Sequence, residues 1–132
     1  TAGTRIADWY GSIYINQPVN TVNKLTINYD GKNSVSQNQD LSLYDWTTSS
    51  WTIINSSIES TTDVMINYVE TNNFAKYISP NGEIRLRVYC TGGTANFVCS
   101  GDWMQFVIES SVLSSTLKNA TYNTPQEYIS SN

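Results

Sequence analysis

Apolar and polar residues alternate along most of this chain, and this period of two limits the fold more than any other sequence feature. Leu25, Ile27 and Tyr29 alternate with Thr26 and Asn28. The same pattern recurs in segments 64–68, 84–89 and 102–109, with shorter candidates at 10–15, 41–44 and 51–55. Because successive side chains of a β-strand point to opposite faces, the pattern predicts half-buried antiparallel strands.

Turn-forming sequences separate the predicted strands, as at Asp30-Gly31 and Ser79–Gly82. Seven or eight short strands spaced by turns favour an all-β fold, an antiparallel β-sandwich of the jelly-roll kind. Segment 73–78 is the one helical candidate, a single turn at most, whose Phe74 and Tyr77 are expected to close one end of the core.

The whole chain, residues 1–132, is predicted to form one domain. The segment from Ser110 onward is rich in Ser, Thr and Asn and leaves two alternatives. It forms either a loose tail, with or without a final edge strand around Val112–Leu117, or the start of a linker.

Charge and composition exclude several classes of function. The chain has seven Lys and Arg residues, eleven Asp and Glu residues and no histidine. Without a basic stripe, nucleic acid is not an expected partner. Without histidine, the usual hydrolytic triads and His-bearing zinc sites are impossible. No apolar run approaches the roughly 18 residues of a membrane span, so membrane insertion is not expected.

Two cysteines bracket a Gly-rich segment, Cys90 and Cys99. If the flanking segments pair as antiparallel neighbours, facing Cα atoms lie about 4.5–5.5 Å apart, which suits a disulfide. Two free thiols in a reducing cytosol are the alternative. The disulfide, together with a polar surface of few charges, favours a secreted or cell-surface protein.

Aromatic side chains are the enriched class that suits a ligand. Four Trp and nine Tyr residues exceed the needs of one small core, and these rings combine an apolar face with a polar edge. A sugar ring, with apolar C–H faces and a hydroxyl rim, is a matching ligand.

Strand parity selects the candidate binding residues. Arg85, Arg87 and Tyr89 point away from the core on one predicted strand, and Trp103 and Gln105 do so on the next. If the two strands are neighbours, these five side chains form one outward patch. Guanidinium groups beside aromatic rings stack and donate paired hydrogen bonds, although such pairs also serve simply to stabilise a sheet face.

Near the N-terminus, Tyr10 and Tyr14 share a face that is opposite to that of Trp9. They are expected to extend the patch while Trp9 packs inward. Trp46 and Trp51 flank a Thr-Thr-Ser-Ser turn, where cross-strand packing that fixes hairpin register is the favoured role. Capture of a ligand by an aromatic side chain at the loop tip is the alternative.

The carboxylates are dispersed along the sequence, so nothing favours the facing pair of a glycosidase, and the chain is not expected to be an enzyme. No cofactor is expected. Calcium is the one ion left open, with oxygen ligands from Asp30, Gly31 and Asp40.

A succession of segments in the middle of the chain resembles a β-sandwich module found in secreted and surface proteins of bacteria and archaea. The segments are Leu25–Gly31, Leu41–Trp46, Ser50–Trp51, Tyr77–Val88 and Asp102–Ile108. The resemblance covers residues 24–109 and implies an exported accessory module built like a carbohydrate-binding module. It transfers no binding residues.

The sequence therefore predicts a non-catalytic extracellular module that binds a polysaccharide or glycan. Trp103 and one or both of Tyr89 and Tyr10 would stack on the sugar, and Arg87 and Gln105 would hydrogen-bond to it. The alternative is a structural or assembly domain of a surface-layer, pilus or viral coat protein, for which self-assembly is expected.

Overall fold

The computed structural model describes residues 4–110, 116–122 and 127–129, and most of these residues lie in β-strands. The strands are β1 (Ile6–Tyr14), β2 (Val22–Asn33), β3 (Gln37–Asp45), β4 (Ser50–Glu59), β5 (Val64–Glu70), β6 (Glu83–Thr91), β7 (Val98–Ser110), β8 (Thr116–Asn119), β9 (Thr121–Tyr122) and β10 (Glu127–Ile129). Short 3-10 turns lie at Val19–Thr21 and Phe74–Tyr77. The second coincides with the predicted helical turn, and the first was not expected.

The strands form two antiparallel sheets. The first has the order β4-β3-β6-β1-β9, and the second has the order β10-β7-β2-β5, with β8 also paired to β7. The all-β antiparallel sandwich expected from the alternation is confirmed. The edge-strand segment predicted around Val112–Leu117 lies partly outside the described residues, and strand β8 begins at Thr116.

The inner faces of both sheets build a single hydrophobic core. Its largest fully buried side chains are Trp9, Tyr29, Phe97, Phe106, Leu25, Ile27, Leu41, Leu43, Ile84, Leu86, Met104 and Ile108. Trp9 packs inward, as predicted. Phe74 and Tyr77 contact this core from the second 3-10 turn, also as predicted. Because the apolar side chains of each alternating strand point into this core, the polar and aromatic side chains between them lie on the outer faces.

One prediction about neighbouring strands is wrong. Strand β6 pairs with β1 and β3 in the first sheet, whereas β7 pairs with β2 in the second. The segment between Cys90 and Cys99 is therefore a crossing between sheets and not a hairpin within one sheet. Gly92 and Gly93 both have positive φ in this crossing, a backbone conformation that glycine adopts without steric cost.

Within the described residues, no helix is long and apolar enough to cross a lipid bilayer.

Candidate functional site

The outer face of the first sheet carries a continuous cluster of aromatic rings and arginines. It consists of Tyr10, Tyr44, Trp46, Trp51, Arg85, Arg87 and Tyr89, here called the aromatic–arginine face. Strand register brings the members together, because Tyr10 lies opposite Arg87, and Tyr44 lies opposite Trp51. Directly opposed residues of antiparallel strands share a face, so the alternation of each strand aims these side chains outward.

The rings contact one another across the sheet. Tyr44 lies edge-on to both Trp46 and Trp51, with ring centroids 4.8 and 5.1 Å apart. The ring of Tyr10, from β1, reaches to 5.9 Å from that of Trp51 on the edge strand β4. Ser42, on the same face between them, is only 3% exposed because the larger side chains cover it.

Each arginine lies against several rings. The guanidinium carbon of Arg85 is 4.7 Å from the ring centre of Trp46, and within 5.5 Å of those of Tyr10 and Tyr44. The guanidinium carbon of Arg87 is 4.6 Å from the ring centre of Tyr89 and 5.6 Å from that of Trp51. These distances are those of cation–π contacts.

Each arginine also forms an ion pair with a carboxylate. Arg87 donates from Nε and from a terminal nitrogen to the two oxygens of Asp8, both at 2.7 Å. Arg85 pairs with Glu83, at 2.7 and 3.3 Å. Hydrogen bonds to Glu83 and Asp8 raise the pKa values of Arg85 and Arg87, respectively. The guanidinium groups therefore stay charged and are held in fixed positions between the rings.

Of the predicted patch, the structure brings together Arg85, Arg87, Tyr89 and Tyr10. Trp103 and Gln105 lie elsewhere, because β7 belongs to the second sheet, and the idea of a single patch is wrong for these two. Gln105 accepts a hydrogen bond from Asn28 at 3.0 Å on the opposite outer surface of the sandwich. Trp103 lies opposite Asp30 there.

Tyr14 is on the same face as Tyr10 but lies opposite Glu83 at the far end of β1, where it is 55% exposed. Tyr44 was not among the predicted binding residues, and for Trp46 and Trp51 a register role was favoured over ligand capture. The pattern of residues 41–44 contained the missing signal. Leu41 and Leu43 are fully buried, so Tyr44 must point outward with the other rings.

The two cysteines meet in the core with free thiols. Cys90 and Cys99 are fully buried, and their sulfur atoms are 3.3 Å apart, which is contact but not a disulfide. A hydrogen bond with Cys99 and burial raise the pKa of Cys90. Hydrogen bonds from Cys90 and the indole of Trp9 lower the pKa of Cys99.

Among the described residues, three carboxylates lie close enough together to hold a cation. Oxygen atoms of Asp30, Asp63 and Asp102 lie within 4.8 Å of one another, which suits an oxygen-liganded ion. The pKa of Asp63 is raised, chiefly by its hydrogen bond with Asp102. Asp40, which the sequence grouped with Asp30, lies on the other sheet and accepts a hydrogen bond from Ser56 instead.

Comparison with known families identifies the family of this chain. Residues 14–101, more than half of the chain, match a family described as a domain of unknown function, DUF8815, and the chain belongs to this family. Searches of the curated proteins and of the solved structures find no match. The matched range includes Trp51, Arg85 and Arg87, and it excludes Tyr10 and Trp103.

Proposed function

We propose that this protein is a non-catalytic extracellular accessory module that binds carbohydrate on the aromatic–arginine face. The observation that supports the proposal most is the concentration of rings on one outer sheet surface. A face that served only to solubilise the sheet would not need Trp46 and Trp51, both partly exposed, beside three tyrosines. Such rings offer flat apolar surfaces with polar edges, which suit the C–H faces and hydroxyls of a sugar.

The binding roles on this face differ from those that strand parity predicts. Stacking falls to Trp51 and Tyr10, whose rings adjoin each other, with Tyr89 beside them. Arg87 is committed to Asp8, so it orients Trp51 and Tyr89 more than it binds sugar. Trp103 and Gln105 lie on the opposite surface and become the matched control.

The first test is Trp51→Ala, compared with Trp103→Ala, in affinity electrophoresis through gels containing neutral polysaccharides. We expect Trp51→Ala to lower affinity at least about tenfold, as is typical of a central aromatic contact. Trp103→Ala should leave affinity unchanged. Urea unfolding of both variants separates lost binding from lost stability.

If the unmodified protein is retained by no polysaccharide, or if Trp51→Ala binds as tightly as the unmodified protein, carbohydrate binding on this face is wrong. Retention that depends on Trp103 alone would move the site to the second sheet.

The secreted or cell-surface location belongs to the same proposal, and so does the carbohydrate-binding-module-like character of the sandwich. The contact between Cys90 and Cys99 supports an exported location, because closing the gap from 3.3 Å to a bond of about 2.05 Å needs only a small movement. Such bonds persist in oxidising compartments.

An assembly domain is the second candidate, and the sheet edges favour it. Among the described strands, β4 and β5 each have one neighbour only. Ile53 and Ile58 on β4 are 57% and 72% exposed, and Met65 and Val69 on β5 are also exposed. Open strand edges with apolar side chains can pair with another chain. Sedimentation analysis across a concentration series tests this: ordered oligomers that Ile58→Lys dissociates would favour assembly.

A further inference from the structure

A groove opens at the end of the aromatic–arginine face, beyond Tyr89. Two adjoining hollows of about 520 and 450 Å³ form it, and they share Asn38, Ile58 and Thr91 in their walls. This groove, called the polar groove here for its Asn, Ser and Asp side chains, is further lined by Asp40, Ser56 and Gly93, and Val35 and Ala95 add an apolar part to its wall.

Strand register makes the face and the groove one surface. Asp40 lies opposite both Tyr89 and Ser56, and the next outward row places Asn38 opposite both Thr91 and Ile58. Rows of outward residues on one strand are two residues apart, or roughly 6.6 Å. A ligand stacked beside Tyr89 therefore has its next contact in the polar groove.

The combined surface is long. Trp51 lies near the start of β4 and Ile58 near its end, so about seven residues, or roughly 23 Å of strand, separate them. A single sugar ring covers only a fraction of that length. The surface has the dimensions of a site for a chain and not for a monosaccharide.

The charges along this surface favour a neutral ligand. Arg85 and Arg87 are each paired with a carboxylate. The groove walls, as far as the structure describes them, contain no Lys or Arg, whereas Asp40 adds a negative charge. Amides, hydroxyls and one carboxylate can bond to sugar hydroxyls, but they offer little to a sulfated or uronic-acid polymer.

We propose that the polar groove extends the aromatic–arginine face, and that the ligand is a neutral sugar chain several units long. This inference rests on the proposed carbohydrate-binding function. It adds the length and the charge of the ligand, and it assigns hydrogen bonding to Asn38 and Ser56, two exposed side chains outside the ring cluster.

The experiment is a calorimetric titration with neutral cello-, xylo- and manno-oligosaccharides of two to six units. The groove variant is Asn38→Ala/Ser56→Ala. Its control is Asn20→Ala/Thr62→Ala, which removes two exposed polar side chains that belong to no strand and do not line the groove. In affinity electrophoresis, gels containing polygalacturonate or alginate are compared with gels containing neutral polysaccharides.

We expect the unmodified protein and the control to bind the hexasaccharide of at least one series about tenfold more tightly than the disaccharide. The groove variant should lose this gain and keep its affinity for the disaccharide. The anionic polymers should not be retained.

The inference is overturned if the affinity does not rise with chain length, if the rise survives in the groove variant, or if polygalacturonate or alginate is retained as strongly as the neutral polymers. In those cases, disaccharide binding that still depends on Trp51 leaves the proposed function standing. If no neutral oligosaccharide binds and Trp51→Ala changes nothing, both proposals fall.

Discussion

At the scale of single residues, the arginines show why a side chain's partners matter more than its position in a strand. Parity correctly placed Arg87 on an outer face, where a ligand-binding role was predicted. Its actual partner, Asp8, is 79 positions away in the sequence. That pairing depends on β1 lying next to β6, and a pattern within one strand contains no information about its neighbour.

Glu59 gives a prediction about stability and pH. It is only 3% exposed, and one of its carboxylate oxygens, Oε2, has no hydrogen-bond partner among the described residues. Burial raises the pKa of this carboxyl above its ordinary value of 4.5. A raised pKa means that the folded state binds the proton more tightly than the unfolded state does. Stability is therefore lost as the pH rises from about 4.5 through the raised value.

We therefore expect Glu59→Gln, which is never charged and still accepts from Ser57, to unfold at a higher temperature than the unmodified protein at pH 7. At pH 4 the two should unfold at nearly the same temperature. Thermal unfolding followed by circular dichroism across pH 4–8 measures this. A destabilised Gln variant at pH 7 would contradict the prediction.

At the scale of elements, the strands were predictable and their partners were not. Alternation located β2, β5, β6 and β7, because burial of every second residue is a local property of the sequence. A Gly-rich connection, however, serves equally well in a hairpin and in a crossing between sheets. The spacing of Cys90 and Cys99 therefore indicated their proximity without showing that they approach from opposite sheets. The same ambiguity led to the wrong placement of Trp103 beside Arg87.

The crossing itself supplies a prediction at Gly93. Its φ is +66°, and a Cβ added there would meet nothing within 4 Å, so only backbone strain opposes substitution. Gly93→Ala should cost roughly 1–2 kcal/mol of unfolding free energy. Gly93→Asn should cost less, because Asn tolerates this conformation better. Urea unfolding of the two variants gives the difference, and equal costs would argue against a strained crossing.

At the scale of the whole molecule, the two cysteines come from different sheets and meet between the layers of the sandwich. Oxidation would form one S–S bond, with two protons and two electrons passing to a thiol–disulfide oxidoreductase or to oxidised glutathione. The thiols are nine positions apart, and closing a loop of this size contributes roughly 2.5–3 kcal/mol in the chain-entropy model.

We expect the oxidised protein to resist urea more than the reduced protein by about that amount. Mass spectrometry with thiol alkylation should show both cysteines blocked from reaction. The Cys90→Ser/Cys99→Ser variant is the control, and its stability should not respond to a reductant. Two freely alkylated cysteines in unfolded protein prepared under oxidising conditions would rule out the bond.

The candidate site was partly within reach of the sequence. Tyr10, Tyr89 and both arginines follow from parity alone, and Tyr44 could have been added by the same rule. The contact of Tyr10 with Trp51 could not, because it spans the two strands β6 and β3 that lie between them. The polar groove could not be predicted from the sequence either, because it depends on the register of β3, β4 and β6 together.

Strand β6 carries two sets of side chains with separate roles on its two faces. Ile84, Leu86, Val88 and Cys90 point into the core, and Arg85, Arg87 and Tyr89 point outward. Substitutions at the outward positions can therefore change what this face binds, while the inward residues continue to specify the sandwich. The same separation makes the first sheet a scaffold for directed evolution, in which libraries at the outward positions of β1, β3, β4 and β6 sample new specificities without redesigning the interior.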